Sequence, residues 1–329
     1  MNVVITGGAG FLGRKLALEL LKRGTLPDAG GREREIEHLT LFDIVEASGL
    51  PDDRRVRVVA GDIGDQEVVR ALIGQGTDAV FHLAAIVSAN AEQDFDLGMR
   101  VNLDGTRHVL EACRALPNAP RVVFASSVAV YGGERLPDVL DDMTILMPET
   151  SYGTQKAIGE MLVADYSRKG FLDGRALRLP TIVVRPGRPN LAASTFASSI
   201  VREPLAGQEA VCPVAPEAAM HVLSPRKVIE AFVRAYDLPP EAWGRNRRLL
   251  LPGLTVTIGE VVEALAEVAG RHVADRVRWE PDERIRAIVR GWPARFEARR
   301  AHELGFRADA DVREIIRAHI EDELGGKVR

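Results

Sequence analysis

The sequence predicts an α/β fold in which a parallel β-sheet is covered by helices on both faces. Two observations predict it: apolar runs alternate with segments of helical periodicity, and the apolar runs are nearly continuous. Strands buried on both faces have that composition, and parallel strands need helical crossovers. Strands are predicted at 2–6, 39–45, 56–60, 79–84, 121–125 and 176–184, and helices at 11–23, 65–74, 91–116 and 151–169.

The first predicted strand runs directly into glycines. Gly7, Gly10 and Gly13 have the spacing G-x-x-G-x-x-G, and a helix is predicted from Phe11 and Leu12 onward. Such glycines permit a tight turn, close approach of the backbone to a pyrophosphate, and close packing of helix on strand. The N–H groups at the helix N-terminus favour phosphate oxygens. These five residues predict the dinucleotide site of a doubly wound, Rossmann-type sheet, with an ordinary strand-to-helix turn as the alternative.

Asp43 ends the second predicted strand. A carboxylate at that place binds ribose hydroxyls and repels a 2′-phosphate, so it favours NAD over NADP. The acid usually follows the last glycine by about 20 residues, whereas Gly13 and Asp43 are 30 positions apart. The polar segment 25–37 explains the excess as an inserted surface loop. The alternative is that Asp43 only caps the turn after the strand.

Further cofactor candidates follow the later strands, where parallel sheets bind their ligands. Asp62 and Ile63 come after the third strand, and a carboxylate with an apolar neighbour suits an adenine. Ser127 ends the fifth strand with a hydroxyl at the same crevice, unless it is only a turn residue. The fourth strand ends with Leu83, Ala84 and Ala85, and the small residues among them allow a ligand to pass close to the backbone.

Tyr152 and Lys156 lie four residues apart in the predicted helix 151–169. Residues at i and i+4 share a helix face, with Cβ atoms roughly 6 Å apart. A positive charge that close lowers the phenol pKa from about 10 and makes Tyr a usable general base. Only six of the 43 basic residues are Lys, and a guanidinium does not replace a compact ammonium. The alternative to a catalytic pair is a surface Tyr beside a solvated Lys.

Together these motifs resemble the extended short-chain dehydrogenase/reductase family, over the whole chain. The resemblance implies NAD as cofactor, Tyr152 as acid/base, and Lys156 as the residue that binds the nicotinamide ribose and lowers the tyrosine pKa. It selects Ser127 rather than Ser126 as the partner of the reacting oxygen, and implies that Asn102 holds its helix and a water near Lys156. The matching stretches are 6–13, 61–62, 82–85, 101–106, 126–132 and 151–156.

Two stretches depart from the family members that act on nucleotide-linked sugars. Residues 220–223 lack their Asp, and residues 178–190 lack their Asn-x-Tyr-Gly-Pro element. Within the family, the chain is similar to dehydrogenases of small sugar acids, which implies NAD-dependent oxidation of the C2 hydroxyl of a four-carbon acid. A nucleotide-sugar epimerase or dehydratase remains an alternative, as does a non-enzymatic NAD-sensing protein. The stretches of closest similarity are 94–104, 151–160, 176–187 and 203–213.

An anionic substrate needs a cationic clamp, and the planar fork of Arg fits a carboxylate. Arg185 and Arg188 follow the sixth strand and are the candidates, whereas Arg178, in the middle of that strand, is expected to form a structural ion pair. The predicted substrate contacts are Ser88, Ser127, Tyr152, Thr181, Arg185, Arg188 and Asn190.

Two regions are predicted along the chain. Residues 1–185 form the NAD-binding domain, and residues 186–329 form a smaller α/β substrate-binding lobe that interleaves partly with it. Residues 186–216 show no clear period and are expected to be loops. Helices are predicted in the lobe at 225–237, 257–269 and 310–324, with a strand at 247–251 that is a candidate to rejoin the sheet.

Composition and charge exclude several classes of protein. A net charge of −4 gives no basic footprint for nucleic acid. The two Cys lie outside any C-x-x-C, so no metal site is predicted. No apolar run reaches 18 residues and the first strand begins at residue 2, so a cytoplasmic protein without a membrane span is expected. The family resemblance further implies a homodimer that pairs through the helices 91–116 and 151–169.

Overall fold

The computed structural model describes residues 1–133, 136–187 and 194–328. Its strands are β1 (Asn2–Thr6), β2 (Thr25–Pro27), β3 (Glu33–Glu35), β4 (His38–Asp43), β5 (Val56–Ala60), β6 (Thr77–His82), β7 (Arg121–Ser127), β8 (Leu140–Asp141), β9 (Asp173–Leu179), β10 (Thr181–Ile182), β11 (Ala210–Cys212), β12 (Ala219–Leu223), β13 (Arg248–Leu250), β14 (Leu254–Thr257), β15 (Val277–Trp279) and β16 (Phe296–Glu297).

The α-helices alternate with these strands over the first half of the chain. They are α1 (Phe11–Arg23), α2 (Gln66–Leu72), α3 (Ser88–Gln93), α4 (Phe95–Gly98), α5 (Gly105–Arg114), α6 (Ser151–Arg168), α7 (Thr195–Leu205), α8 (Pro225–Asp237), α9 (Pro240–Trp243), α10 (Ile258–Ala269), α11 (Arg271–Ala274), α12 (Glu283–Arg290), α13 (Arg299–Glu303) and α14 (Val312–Leu324). A π-helix, Met99–Asp104, joins α4 to α5, and a short 3₁₀ turn spans Val128–Val130.

A seven-stranded sheet confirms the predicted fold class. Its order is β13-β9-β7-β6-β1-β4-β5, and the pairings of β1 with β4 and β6, of β4 with β5, and of β6 with β7 are parallel. The chain first builds outward from β1 through β4 to β5 and then returns to the other side of β1 with β6. Ligands bind at such a reversal of strand order in doubly wound sheets, outside the carboxyl ends of the strands.

The first compact unit comprises residues 1–130, 150–178 and 229–249. Its core packs strand residues such as Phe42, Val80 and Phe124 against Val109 and Leu110 of α5. Each of these five side chains is fully buried. The apolar strand runs that predicted the parallel sheet are therefore the residues that form this core.

The second compact unit comprises residues 131–149, 179–228 and 250–329. In its three-stranded sheet, β12 pairs in parallel with β10 and antiparallel with β14. Ile200 of α7, Leu265 of α10 and Ile316 of α14 pack in one core.

A single boundary after residue 185 does not describe this division. The chain passes between the units after residues 130, 149, 178, 228 and 249. One reason is that residues 229–249 return to the first unit, where the Ala176 N–H donates to the Arg247 carbonyl at 2.8 Å, just before β13. The strand considered at 247–251 therefore does rejoin the sheet.

Two segments that were expected to be loops contain regular structure. In the segment 25–37, β2 and β3 form an antiparallel hairpin, anchored by the fully buried Leu26. In the segment 186–216, residues 195–205 form α7 and residues 210–212 form β11. Helix α7 buries Phe196, Ile200 and Leu205. Its helical pattern is hard to identify in the sequence because Pro204, a residue that usually breaks helices, lies in its last turn.

Two predicted elements are interrupted. The helix expected at 91–116 breaks at Asp94, which caps α4 by accepting the Leu97 N–H at 2.9 Å, and it continues through the π-helix before α5 begins. The strand expected at 176–184 ends at Leu179, because the next residue, Pro180, has no N–H to donate to a neighbouring strand.

No helix of the described residues is long and apolar enough to cross a membrane. The same part of the chain has no group of three or more His, Cys, Asp or Glu side chains placed to hold a metal ion. Cys113 and Cys212 are buried free thiols.

Candidate active site

The glycine turn connects β1 to α1 with no room for side chains. Gly7 has a φ of +73°, and a Cβ there would lie 2.8 Å from the Ala84 nitrogen; a Cβ on Gly13 would overlap the Gly7 carbonyl oxygen. The Gly10 N–H donates to that carbonyl at 3.1 Å, so the turn is closed by its own backbone. In the described part of the chain no side chain caps the N-terminus of α1. Its first N–H groups therefore remain available to an anion.

Asp43 is held at the end of β4 by two backbone donors. One carboxylate oxygen accepts the Ala9 N–H at 3.0 Å and the other accepts the Ile44 N–H at 2.7 Å. The carboxylate therefore does cap the turn after its strand, as the alternative proposed. Each oxygen keeps a second acceptor site, and the bond to Ala9 ties Asp43 to the glycine turn. Both properties suit a residue that accepts ribose hydroxyls.

Asp62 forms an ion pair with Arg100, which the sequence did not reveal. The Arg100 guanidinium donates to one oxygen and the Gly64 N–H donates to the other at 2.8 Å. Partial burial raises the pKa of Asp62, but these hydrogen bonds offset it, and the net pKa is lower than usual. Ile63 is buried, and a Cβ on Gly105 would lie 2.9 Å from its side chain. Asp62 is thus a fixed anion, while Ile63 belongs largely to the core.

Helix α6 places Tyr152 in its first turn, as predicted. Thr150 caps the helix by accepting the Gly153 N–H at 3.0 Å. One turn later, Lys156 is buried, and its Nζ lies 5.6 Å from the centroid of the Tyr152 ring. This distance is short enough for a charged ammonium to favour the phenolate.

The Lys156 ammonium is held in place from the side of the sheet. Its Nζ donates to the Ala125 carbonyl at 2.8 Å and lies 4.8 Å from the centroid of the Phe124 ring. Burial lowers the pKa of Lys156 to about 7, against the attraction of the Glu160 charge, which raises it. Burial therefore weakens the hold of this ammonium on its proton, and the Glu160 charge opposes that effect.

The two serines at the end of β7 have different partners. Ser126 is buried and donates to Glu160 at 2.5 Å. Ser127 is half-buried, and its Oγ accepts the Ala129 N–H at 3.1 Å, which leaves its proton available to another acceptor. This difference supports the choice of Ser127 over Ser126 for the reacting oxygen.

Arg178 forms the structural ion pair that was expected for it. Its guanidinium donates to both carboxylate oxygens of Glu160, at 2.8 to 3.1 Å, and both side chains are buried. Because Ser126 also donates to Glu160, this carboxylate joins α6, β7 and β9. Glu160 lies one turn after Lys156.

Asn102 projects from the π-helix and is buried. Its Oδ1 accepts the Ile86 N–H at 2.9 Å, and its Nδ2 donates to the Ile86 carbonyl at 3.2 Å and to Gln155 Oε1 at 2.8 Å. Asn102 thus ties its helix to the segment after β6 and to the residue before Lys156. Both side-chain N–H groups of Asn102 are used in these hydrogen bonds. That Asn102 also holds a water near Lys156 stays a prediction.

These residues fit a dinucleotide. The glycine turn offers uncapped N–H groups, Asp43 offers two anchored acceptors, and the half-buried Leu83, Ala84 and Ala85 follow β6 at the reversal of strand order. A model of the NAD dependent epimerase/dehydratase family matches residues 3–242.

The chain belongs to this family.

Two curated relatives match this family member over nearly its full length. A D-erythronate dehydrogenase of Cupriavidus necator is 59% identical over 98% of the chain and 98% of the relative. A D-erythronate dehydrogenase of Haemophilus influenzae is 44% identical over 98% of the chain and 100% of the relative. Among solved structures, a nucleoside-diphosphate-sugar epimerase from Agrobacterium tumefaciens has a TM-score of 0.92 and 45% identity, covering 100% of this chain and 96% of that one.

The residues predicted to contact the substrate are found in both units. Ser88, in the first unit, begins α3 and is half-buried. Thr181 and Arg185 belong to the second unit, where Arg185 Nε donates to the Ile182 carbonyl at 3.2 Å. Arg188 and Asn190 lie outside the described residues.

Sequence reasoning missed three residues that support the site. Glu160 could have been found, because it stands four positions after Lys156 on the same helix face. Gln155 and Arg100 had no such signal. Their partners Asn102 and Asp62 are 53 and 38 residues away in the sequence, so only the fold shows that they meet.

Proposed function

We propose that this chain catalyses the NAD-dependent oxidation of the C2 hydroxyl of D-erythronate to 2-dehydro-D-erythronate. The buried Lys156, held 5.6 Å from the ring centroid of Tyr152, is the observation that supports proton transfer most directly. The two relatives of 59% and 44% identity support the choice of substrate. The first unit, with the glycine turn, would bind NAD, and the second unit would contribute to the binding of the acid.

The residues divide the chemistry between them. Tyr152, as phenolate, takes the proton of the C2 hydroxyl while the C2–H bond breaks, and the Lys156 ammonium stabilises the phenolate. The Ser127 hydroxyl donates to the same substrate oxygen, since its proton is not used in the bond that its Oγ accepts from the Ala129 N–H. NAD, held by the glycine turn and Asp43, would supply the acceptor for the hydride that leaves C2. The products are a ketone, NADH and the proton on Tyr152.

Asp43 supports NAD rather than NADP as the cofactor. Its carboxylate is anchored by the Ala9 and Ile44 N–H groups, so it cannot turn away from a ligand without breaking two charge-assisted hydrogen bonds. A 2′-phosphate at this position would meet a fixed negative charge. The oxidation is therefore expected to be slower with NADP than with NAD at equal concentration.

We propose Arg185 and Arg188 as candidates for binding the substrate carboxylate, with Ser88, Thr181 and Asn190 as candidates for its hydroxyls. A bidentate Arg is the group best shaped for a carboxylate. Replacing the binding Arg with Lys keeps the charge but removes the fork. The KM for the acid is therefore expected to rise in that variant, while NAD binding measured by calorimetry stays the same.

Absorbance of NADH tests the proposal. Purified protein is mixed with NAD and, in turn, D-erythronate, L-threonate, L-threonine and several aldonates. D-erythronate is expected to give the highest kcat/KM, and Tyr152→Phe is expected to lose about a thousandfold or more. Tyr166→Phe is the matched control, because Tyr166 stands on the same helix and donates to Glu111 instead. The proposal is wrong if no acid reduces NAD, or if Tyr152→Phe keeps its activity.

A second candidate function is a nucleotide-sugar epimerase or dehydratase. The similarity to the structure described as a nucleoside-diphosphate-sugar epimerase, with 45% identity, favours it. This function predicts turnover of a UDP- or dTDP-sugar without net formation of NADH. It also predicts that the purified protein retains its cofactor. The same absorbance experiment, with chromatography of the sugar products, separates the two functions.

We also propose a homodimer. Phe95 of α4 and Met161 of α6 are exposed apolar side chains on the two helices named by the family resemblance. Apolar side chains exposed on elements that pair with another copy would be covered in the dimer.

A further inference from the structure

A chain of buried hydrogen bonds runs from the glycine turn to the helix of Asn102, through a histidine that the proposed mechanism does not use. His82 ends β6, and its ring is 1% exposed. Its Nδ1 lies 2.7 Å from the Thr6 hydroxyl, and its Nε2 lies 2.9 Å from the Thr106 hydroxyl. Thr6 stands immediately before Gly7, and Thr106 is in the first turn of α5.

The direction of each bond follows from the partners of the two hydroxyls. Thr106 Oγ lies 2.6 Å from the Asn102 carbonyl, which can only accept, so the single proton of Thr106 points there. His82 Nε2 must then donate to Thr106. At the other end, Thr6 Oγ accepts the Ala84 N–H at 3.3 Å and lies 2.7 Å from His82 Nδ1. Nε2 is therefore protonated, and in a neutral ring Nδ1 accepts the proton of the Thr6 hydroxyl.

Burial supports the neutral ring independently of these directions. The pKa of His82 falls to about 3, first because the ring is buried and second because the Lys156 charge is near. A second proton, on Nδ1, would also require the Thr6 hydroxyl to turn its own proton away from the ring. A neutral imidazole with one donor and one acceptor is the form that satisfies both hydroxyls at once.

We propose that His82 is a positioning residue that couples the phosphate-binding turn to the catalytic helix. The hydrogen bonds that join Thr6 to His82, His82 to Thr106 and Thr106 to Asn102 fix the π-helix relative to the glycine turn. From Asn102 the link continues to Gln155, the neighbour of Lys156, because the Asn102 side-chain amide donates a hydrogen bond to Gln155 Oε1 at 2.8 Å. Movement of the glycine turn and placement of Lys156 are thereby joined through hydrogen bonds whose members are all buried.

The first test is the protonation state of His82 in the protein without cofactor or substrate. Long-range ¹H–¹⁵N spectra of the protein with ¹⁵N-labelled His distinguish the Nε2–H form, the Nδ1–H form and the doubly protonated ring. The resonances of His82 are assigned by their loss in His82→Gln. We expect the Nε2–H form unchanged from pH 5 to pH 8. A ring protonated on Nδ1, or a second proton gained in that range, overturns the proposal.

The second test separates positioning from simple stability. Thr106→Val removes both hydrogen bonds of the hydroxyl at nearly constant volume, and Thr106→Ser restores them. We expect kcat to fall by about tenfold in Thr106→Val, with NAD binding by calorimetry changed by less than about twofold and with Thr106→Ser close to wild type. Thr77→Val, at the other end of β6 and also buried, is the matched control and keeps its kcat.

Unchanged kcat in Thr106→Val overturns the proposal, and so does equal impairment of Thr106→Ser. The kinetic test rests on the proposed dehydrogenase function, whereas the spectra of the unmodified protein do not. If no substrate is found, or if Thr106→Val does not fold, the protonation state of His82 still decides. Failure of the proposed function is thus distinguishable from failure of the coupling.

Discussion

At the scale of single residues, Lys156 shows how burial sets both chemistry and stability. Its pKa falls from 10.5 to about 7 because the ammonium is buried, with the Glu160 charge opposing the change. At a pH between these two pKa values, Lys156 is protonated in the unfolded chain and deprotonated in the folded protein. Stability rises with pH wherever the unfolded state binds more protons, so this side chain destabilises the protein most at neutral and acidic pH.

We therefore expect Lys156→Met to be more stable than the wild type at pH 7, and the difference to shrink as the pH rises to 9. Met fills a similar volume without a charge to desolvate. The measurement is the free energy of unfolding in urea at pH 7, 8 and 9. Lys169→Met, just after the same helix and exposed, is the matched control for the loss of one Lys. A difference that does not change with pH would contradict the expectation.

At the scale of elements, one buried carboxylate joins a helix to two strands. Glu160 of α6 accepts hydrogen bonds from Ser126 of β7 and from Arg178 of β9. This contact holds α6 against the carboxyl end of β7, next to Ala125 and Ser127. The register that brings the Lys156 ammonium to the Ala125 carbonyl of β7 therefore depends on a buried ion pair one turn further along α6.

Breaking this ion pair is expected to be costly. Arg178→Met leaves the Glu160 charge buried without its partner and is expected to lower the free energy of unfolding by about 3–5 kcal/mol. The double variant Glu160→Met/Arg178→Met is expected to recover part of that loss. The control is Asp165→Asn, which breaks the exposed ion pair with Arg168 on the same helix and costs less than about 1 kcal/mol. Denaturant unfolding measures the wild type and these three variants, and a double variant less stable than Arg178→Met would count against this account.

Elements whose signal is local were predicted from the sequence, and elements that depend on distant contacts were not. The glycine spacing gave α1 and its turn, and the spacing of Tyr152 and Lys156 gave their place on one face of α6. Helix α7 was missed because Pro204 interrupts its pattern. The ion pair of Asp62 with Arg100 joins residues 38 positions apart, and nothing in the local sequence of either residue indicates the other.

At the scale of the whole molecule, the chain builds two compact units by passing repeatedly between them. A boundary after residue 185 lies near the passage after residue 178, and the strand predicted at 247–251 indicated part of the return of residues 229–249, but the sequence did not reveal that residues 131–149 leave the first unit. The return has a physical basis in β13, which extends the seven-stranded sheet beside β9.

The proposed dimer is the last property that belongs to the whole molecule. Single exposed apolar residues are common on monomers, but Phe95 and Met161 are 58% and 53% exposed on two helices of the first unit that are in contact with each other. If these helices pair with a second copy, a glutamate that replaces Phe95 or Met161 would have its charge buried in the dimer. Burying such an ion costs several kcal/mol.

We expect sedimentation to find a dimer for the wild type at micromolar concentration and a folded monomer for Phe95→Glu/Met161→Glu. Circular dichroism checks that the variant keeps its fold. Met143→Glu is the matched control, because Met143 is 85% exposed, belongs to the second unit and lies on neither helix; it should leave the dimer intact. A monomeric wild type would exclude the homodimer, and a double variant that still dimerises would move the interface to another surface.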